Sequence, residues 1–338
     1  MNKKRITIKD IAKVLDISPA AVSKALHDDS RISLKTKAAV KRVAKELNYQ
    51  PNHLASALRK GKSNLVGVIV PRTNSHFFSS VLQSMEEVLN KAGYNIIITH
   101  SNESFKKECS NIETLLFTQV DGIIASMANE TVDLSYYEKV KSKGIPLILF
   151  DRGENDLNVD YVGINDYESS HVIVEHLISK GCKRIAHIGG FRRTRIFNNR
   201  IRGYKDAIEK YGLPTDDDLL LESDLSSEDG RLKMLELLQL EPRPDAVYIA
   251  SDHAALGALQ VLEEKGIEVP EAMRLVGFGN EPFTSLVTPS ITSIDQHSAE
   301  IGKRAAELFL ERVEQPSVKQ TLNKIILDAK LIVRASSE

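Results

Sequence analysis

The spacing of apolar positions changes along this chain, and each change marks a different kind of element. In the first fifty residues it is helical: Ile11, Ala12 and Leu15 share one face, Val22, Ala25 and Leu26 a second, and Val40, Val43, Ala44 and Leu47 a third. Thr7 is placed to cap the first helix, with Asp10 three residues on in a variant of the capping box. Asp16 falls at the turn, where Asp tolerates a left-handed backbone. Ser18-Pro19 pairs an N-cap with proline at the first helical position, so a second helix begins at Pro19. Its apolar face is Val22, Ala25 and Leu26, which turns Pro19, Ala20, Ser23 and Lys24 outward. Ser33 caps a third helix to about Leu47, and Pro51 ends that region because the residue before proline is pushed out of helical geometry. Asn52 then caps a short segment, His53 to Leu58.

From Leu65 the pattern becomes apolar runs alternating with amphipathic stretches. LVGVIVP, YNIIITH, DGIIAS and IPLILFD read as strands, separated by helices from about Phe77 to Ala92, about Lys106 to Phe117, and one ending at Gly144. YVGIND opens a second series, with helices at 167 to 180, 199 to 211, 227 to 239 and 253 to 265 and strands RIAHIGG, LLLESD, DAVYIAS and RLVGFGN. ITSIDQ, a helix at 298 to 314 and NKIILDAKLIVR close the chain. Such alternation predicts parallel sheets covered on both faces, in two α/β halves with a cleft between them.

Charge separates the two regions. Residues 1 to 62 hold 15 Lys and Arg against 5 Asp and Glu, a net +10; the whole chain has 45 against 46, so residues 63 to 338 carry 30 against 41. A basic module on an acidic body is the electrostatic footprint of a nucleic-acid-binding head. Lys3, Lys4, Arg5, Lys35, Lys37, Arg59 and Lys60 are candidates for phosphate contacts. At 338 residues with 42% apolar composition, the chain has enough material for two or three domains with large cores. The N-terminus has basic residues with no apolar run behind them and no stretch reaches membrane-span length, so a cytoplasmic protein without membrane partners is expected. Cys109 and Cys182 form no CxxC pair and are expected to be packing residues.

TIKDIAKVLDISPAAVSKAL, the following RISLKTKAAVKRVAKELNYQPNHLASALRKGKSNLVGVIVP, VGFGNEPF and the terminal LIVRASS together resemble the LacI/GalR family of bacterial transcription regulators, over essentially the whole chain. The resemblance implies an α/β chain: a three-helix helix-turn-helix head at 1–50, a hinge helix at 51–62, and a two-lobed core like that of periplasmic binding proteins. Its lobes would be 63–160 with 291–320, and 161–290 with 321–338, joined by crossovers near 160, 290 and 320. It implies a regulator, most simply a repressor of a carbohydrate-utilisation or related metabolic operon, that binds a pseudo-palindromic double-stranded operator as a homodimer. No leucine-heptad tail follows LIVRASSE, which favours a dimer over a tetramer. The DNA-contacting set is Thr7, Ser18, Pro19, Ala20, Ser23, Lys24, His27 and Arg31 in the head, with Asn52, His53, Ala55, Leu58 and Arg59 in the hinge. Leu58 stands where the family has a leucine that wedges into the minor groove. Without the resemblance, ASALRKGKS reads only as a basic linker.

Ligands of open α/β sheets sit beyond the carboxyl ends of the strands. The stretches just after the apolar runs are 73–78, Asp151-Arg152, 192–200, Ser251-Asp252, Gly279-Asn280 and Gln296. From these the candidate ligand residues are Asn74, His76, Phe77, Phe78, Asp151, Arg152, Arg200, Ser251, Asp252, Gly279, Asn280 and Gln296, a mixture of amide, carboxylate, guanidinium and aromatic groups suited to a sugar or sugar derivative. Capping is an alternative for both aspartates, the stronger reading for Asp252 and the weaker for Asp151. Arg200 is either a surface charge or the ligand-anchoring arginine that the family places in an RxxG spacing, here Arg200 to Gly203, and the spacing favours the anchor. Phe77 and Phe78 are consecutive, so one is expected to point into the cleft. Three departures from the family are Lys24 for a base-reading arginine, Gly279 for a ligand-binding aspartate and Ser251 for an asparagine.

Enzyme motifs fail on inspection. GKS at 61–63 would need glycine where Ser56 stands, and GFGNEP breaks the dinucleotide pattern at Pro282. His171 and His176 are five apart, not the four of a helical metal pair, so no catalytic residue, cofactor or metal is expected. The rival reading is a sugar-binding protein of the periplasmic type; it needs a signal peptide and gives no reason for the basic head.

Overall fold

The computed structural model describes residues 6–49, 62–314 and 321–338. Lys3, Lys4, Arg5 and the hinge positions Asn52, His53, Ala55, Leu58, Arg59 and Lys60 lie outside them. The chain divides into two compact units, Met1–Ser63 and Asn64–Glu338.

In the first unit α1 is Ile8–Leu15, α2 Pro19–Leu26 and α3 Leu34–Glu46. The Thr7 amide and hydroxyl both donate to the Asp10 carboxylate at 2.7 Å. Asp16 takes the left-handed conformation (φ 49°) that turns the chain. Ser18 accepts from the Ala21 amide and Ser33 from the Thr36 amide, each supplying an oxygen to an otherwise unpaired helix amide. Ile11, Val22, Ala25, Val40 and Val43 pack together as one small core, with Leu15, Leu26 and Leu47 at its edge.

The second unit contains a six-stranded parallel sheet of order β11-β5-β4-β3-β1-β2: β1 Leu65–Val70, β2 Asn95–His100, β3 Gly122–Ala125, β4 Leu147–Phe150, β5 Asp160–Ile164 and β11 Lys324–Leu327. On one face, Val66, Val68 and Val70 of β1 pack against α4 (His76–Lys91) and α11 (Ser298–Glu314). On the other, Ile69 and Ile123 pack against α5 (Phe105–Phe117) and α6 (Ser135–Ser142). The second sheet has order β7-β6-β8-β9: β6 Ile185–Gly189, β7 Leu220–Glu222, β8 Ala246–Ile249 and β9 Arg274–Val276, again parallel. It is covered by α7 (Asp166–Ser179) and α8 (Arg195–Lys210) on one face and by α9 (Ser227–Leu237) and α10 (Asp252–Glu264) on the other. Thr292 bridges to Val276, and β10 (Ser293–Asp295) continues there, paired antiparallel with β12 (Lys330–Ile332).

The three crossings lie later than the expected bounds of 160, 290 and 320. β5 completes its ladder in the first sheet before α7 enters the second half. The segment 291–295 still bonds to the second sheet, with the Gly277 amide donating to the Thr292 carbonyl and the Gly279 amide to that of Ile294. β11 pairs with β5, so 321–327 belongs with the first half and only β12 onward with the second. Each strand finishes its hydrogen bonding before the chain leaves, because a buried half-paired strand would strand polar groups. α8 begins at Arg195, four residues before its expected start. Cys109 and Cys182 are both buried and free. Among the described residues no helix is long and apolar enough to cross a membrane.

Candidate functional site

The carboxyl ends of β1, β4, β8 and β9 converge with the start of α8 around a cavity of about 280 Å³ within the second unit. Ten expected residues line it: Asn74, Phe77, Phe78, Asp151, Arg152, Arg200, Ser251, Asp252, Gly279 and Gln296. Two do not. Asn280 turns away, its side-chain oxygen accepting from Arg334 at 2.7 Å and its amide donating to Ser293, which anchors the loop to the C-terminal segment. His76 contributes its backbone instead, the amide donating to the Glu281 carboxylate at 3.0 and 3.2 Å. Phe77 and Phe78 were expected to diverge, yet both are buried and both reach the cavity, stacked edge to face with centroids 5.0 Å apart. They stand at the first turn of α4, where neighbouring side chains fan around the cavity rim and the core lies directly beneath.

Arg200 is no surface charge. It is 4% exposed; its Nε donates to Asp166 Oδ1 at 2.9 Å and its Nη2 forms an ion pair with the same oxygen at 2.8 Å, while its guanidinium lies 3.6 Å from the centre of the Phe278 ring. Asp166 is the first residue of α7, and Gly203, one turn after Arg200, brings α8 close enough to make the pair: a Cβ there would sit 2.1 Å from the Tyr167 carbonyl. The RxxG spacing therefore joins an arginine to the helix contact that places its partner.

Asp151 has left-handed backbone (φ 55°), which aims its carboxyl across the cavity. Burial pushes its pKa up to about 6, against the pull of Arg152 and Arg200. Ser126 donates to Oδ2 at 3.2 Å, and Arg152 Nε lies 3.8 Å away, too far for a hydrogen bond. That Nε is buried and has no hydrogen-bond partner among the described residues, whereas Nη1 of the same side chain donates to Glu103 at 2.7 Å. Glu103 also receives Arg72; burial raises the Glu103 carboxyl, but Arg152, the Asn129 amide and Arg72 together hold it below the usual range.

Asp252 is the first residue of α10 and 1% exposed, with Oδ1 accepting from Ser293 and Oδ2 from the Glu281 amide, both at 2.7 Å. Burial pushes it up to about 6 as well. Its oxygens tie the start of α10 to Ser293 of β10 and to the Glu281 amide, so it does not cap its own helix as the alternative reading had it. Gly279 has φ +128°, where an aspartate would be strained, and its missing side chain leaves room beside Asp252 and Gln296.

The cavity walls come from both lobes, and the lobes touch directly. Besides His76 and Glu281, Thr194 Oγ1 donates to Asn129 Oδ1 at 3.2 Å and Arg195 Nε to the Gly153 carbonyl at 2.8 Å. Asn129 and 224–227 also line the cavity and went unexpected, although the strand-end rule applied to β3 and β7 reaches them. Phe278, His253 and Glu281 were missed as well, although each adjoins a strand-end residue already named. Among the described residues no group of three or more His, Cys, Asp or Glu could hold a metal; His171 lies beside Glu175, and His176 bonds Ser337.

In the first unit Ser18, Pro19, Ala20, Lys24 and His27 are exposed along the start and one side of α2, and Ser23 is half-buried. Thr7 is exposed, but its hydroxyl is committed to Asp10. Arg31 is exposed and chelated by Asp29, Nε at 3.0 Å and Nη2 at 2.7 Å. Lys35 is exposed, while Lys37 donates to the Asp28 carbonyl.

Residues 7–52 match the profile of bacterial regulatory proteins of the lacI family, and 174–337 that of a periplasmic binding protein-like domain. The chain is 31% identical over 335 residues to the transcriptional regulator DegA of Bacillus subtilis, covering 98% of each. Among solved structures it is similar to a complex of the transcriptional regulator CelR with cellobiose (26% identity, TM-score 0.75, 98% of this chain and 100% of that one). The lac repressor dimer bound to operator and the anti-inducer ONPF shares the fold (22% identity, TM-score 0.85, 99% of each). A helix-turn-helix unit followed by a two-lobed binding core defines a ligand-responsive DNA-binding regulator and not an enzyme. The chain belongs to the lacI family of bacterial regulatory proteins.

Proposed function

We propose that the chain is a homodimeric repressor of a carbohydrate-utilisation or related metabolic operon, and that a small polar effector in the interlobe cavity sets its grip on a pseudo-palindromic operator. The observation that carries the effector reading is the orphan donor at the cavity wall: Arg152 Nε, without a hydrogen-bond partner among the described residues, lies 3.8 Å from Asp151 Oδ2, which accepts from Ser126 and keeps a further lone pair. A hydroxyl placed beside that gap accepts from one and donates to the other, as alcohols do and apolar ligands cannot. Arg200 retains N–H groups beyond those given to Asp166 and the Ala250 carbonyl, and Phe77, Phe78 and Phe197 offer flat apolar faces to a sugar ring. CelR, whose fold this chain shares, was solved with cellobiose.

In this reading Asn74, Phe77, Phe78, Asp151, Arg152, Arg200, Ser251 and Gln296 contact the effector, and Asp252 and Gly279 shape its space. Pro19, Ala20, Ser23 and Lys24 read base edges from the start of α2, with Ser18, His27 and Arg31 beside them. Segment 51–62, with Leu58 as wedge, carries lobe movement to the head. A thermal-shift screen of the full chain against mono- and oligosaccharides tests the ligand class, because an effector at about 100 times its Kd adds about 2.7 kcal/mol to the native state. Operator affinity with and without each hit then shows whether occupancy releases or strengthens DNA binding. A panel with no hit that alters operator affinity would overturn the proposal.

A further inference from the structure

The start of α4 faces the cavity, and it is the natural seat for a negative group there. The first amides of a helix have no carbonyl partner within it, and they lie at the positive end of the helix dipole. α4 has 16 residues, and the amide of its first, His76, points at the opposite lobe. The seat is taken. Glu281 reaches across and places both carboxylate oxygens on that amide, at 3.0 and 3.2 Å, while its own amide is fixed by Asp252. Glu281 is 8% exposed, with the His253 imidazole 3.9 Å from Oε2.

The arginines lining the cavity are committed in the same way. Arg72 and Arg152 share Glu103, and Arg200 is held by Asp166. Against them Asp151, Asp224 and Asp252 face the same space, and among the described residues the nearest ion-pairing group to any of the three is Arg152 Nε, 3.8 Å from Asp151. A phosphate or carboxylate entering the cavity would meet excess negative charge at low dielectric, and each arginine it reached there would already be neutralised by an internal carboxylate.

We infer that Glu281 is the residue that sets the charge of the effector: it fills the anion seat at the start of α4 from the opposite lobe, so the cleft accepts an uncharged or cationic polar molecule and rejects phosphorylated or carboxylated ones. This deepens the proposed function and rests on the cleft being the effector site. The same contact joins the lobes, so an anion competing for the His76 amide would also pry the cleft open.

The test uses inorganic phosphate as probe, by titration calorimetry at constant ionic strength on the full chain. The wild-type protein should give no saturable heat. Glu281→Ala, which uncovers the amide, should bind phosphate saturably, at least about tenfold more tightly than the weakest binding the wild-type titration would have detected, and Glu281→Gln, which keeps an acceptor on the amide but removes the charge, should fall between them. His76→Pro deletes that amide at a position where helices tolerate proline, and Ser75 already has the extended backbone (φ −112°, ψ 148°) that a residue before proline requires. Adding it to Glu281→Ala should abolish the gained binding, with circular dichroism confirming that α4 persists. Saturable phosphate binding by the wild-type protein, no gain in Glu281→Ala, or a gain that survives His76→Pro would each overturn the inference. A parallel titration with neutral disaccharides separates the two readings: phosphate gained in Glu281→Ala with no sugar bound by the wild type leaves the charge gate standing and removes the carbohydrate reading.

Discussion

Arg200 and Asp166 form a buried pair in which Asp166 Oδ1 accepts from Arg200 Nε at 2.9 Å and lies 2.8 Å from Nη2, with both residues almost entirely out of solvent. The arginine best placed to hold an effector thus reaches the cavity already neutralised. Its position depends on a partner outside the cavity lining.

Arg200→Ala should therefore do more than remove a contact. Removing one member of a buried pair leaves the other charge uncompensated and costs about 3–5 kcal/mol. Chemical denaturation should show a loss of that size, and the double variant Arg200→Met with Asp166→Asn should recover most of it. Effector binding should stay lost in both. Binding retained in the stable double variant would remove Arg200 from the effector site.

Asp151 carries the opposite signature, a carboxyl raised to about 6 by burial, from an ordinary 3.8. Between those values the folded protein holds a proton that the unfolded chain has lost, so stability falls as pH rises through this window and the full cost is present above about 6. Asp151→Asn should stabilise the unliganded protein by about 1–3 kcal/mol at neutral pH and by little near pH 4. It should also abolish the effector response while leaving operator binding by free protein intact. In the wild type, effector hydroxyls donate to the ionised form, so effector affinity should be about tenfold weaker near pH 5 than near pH 7.5. A flat profile would place the effector away from this carboxyl.

Gly203 lets α8 lie on the backbone of α7, with 2.1 Å between its imagined Cβ and the Tyr167 carbonyl. Backbone cannot yield as a side-chain tip does, so Gly203→Ala should push the helices apart and cost about 1–3 kcal/mol. Because that contact sets Arg200 beside Asp166, effector affinity should fall along with the melting temperature. A variant that loses stability alone would show that the pair tolerates the shift.

In the head, Lys35→Ala should weaken binding to every DNA sequence alike and reduce the slope of log affinity against log salt by about 0.9. Lys24→Ala should instead change which operator is preferred, because α2 leaves this side chain exposed on its outward side. Competition binding across operator variants at several salt concentrations separates the two effects. A uniform loss for Lys24→Ala would reassign it to phosphate contact.

The fold was legible because its signals are local. Capping residues at Thr7, Ser18 and Ser33, proline at the start of α2, and the switch from helical spacing to alternating strands and helices are each written within a few residues, and the elements formed where they pointed. The rule that ligands gather at strand ends likewise reached most of the cavity, since strand ends are read from the same pattern.

What the sequence by itself determined is therefore the order of the elements, the basic head on an acidic body, and the polar character of the strand-end residues. Only the tertiary structure decided which charges remain available. Glu281 meets the His76 amide across 205 residues of chain, Asp166 neutralises Arg200 through the contact between α7 and α8, and Asn280 turns to Arg334 and out of the cavity. Local free energy fixes caps, turns and periodicity because the interacting groups are neighbours in the chain. The electrostatics of a cleft belongs to pairs that only folding brings together, and a side chain's charge says nothing of whether its partner will be a ligand or another part of the same protein.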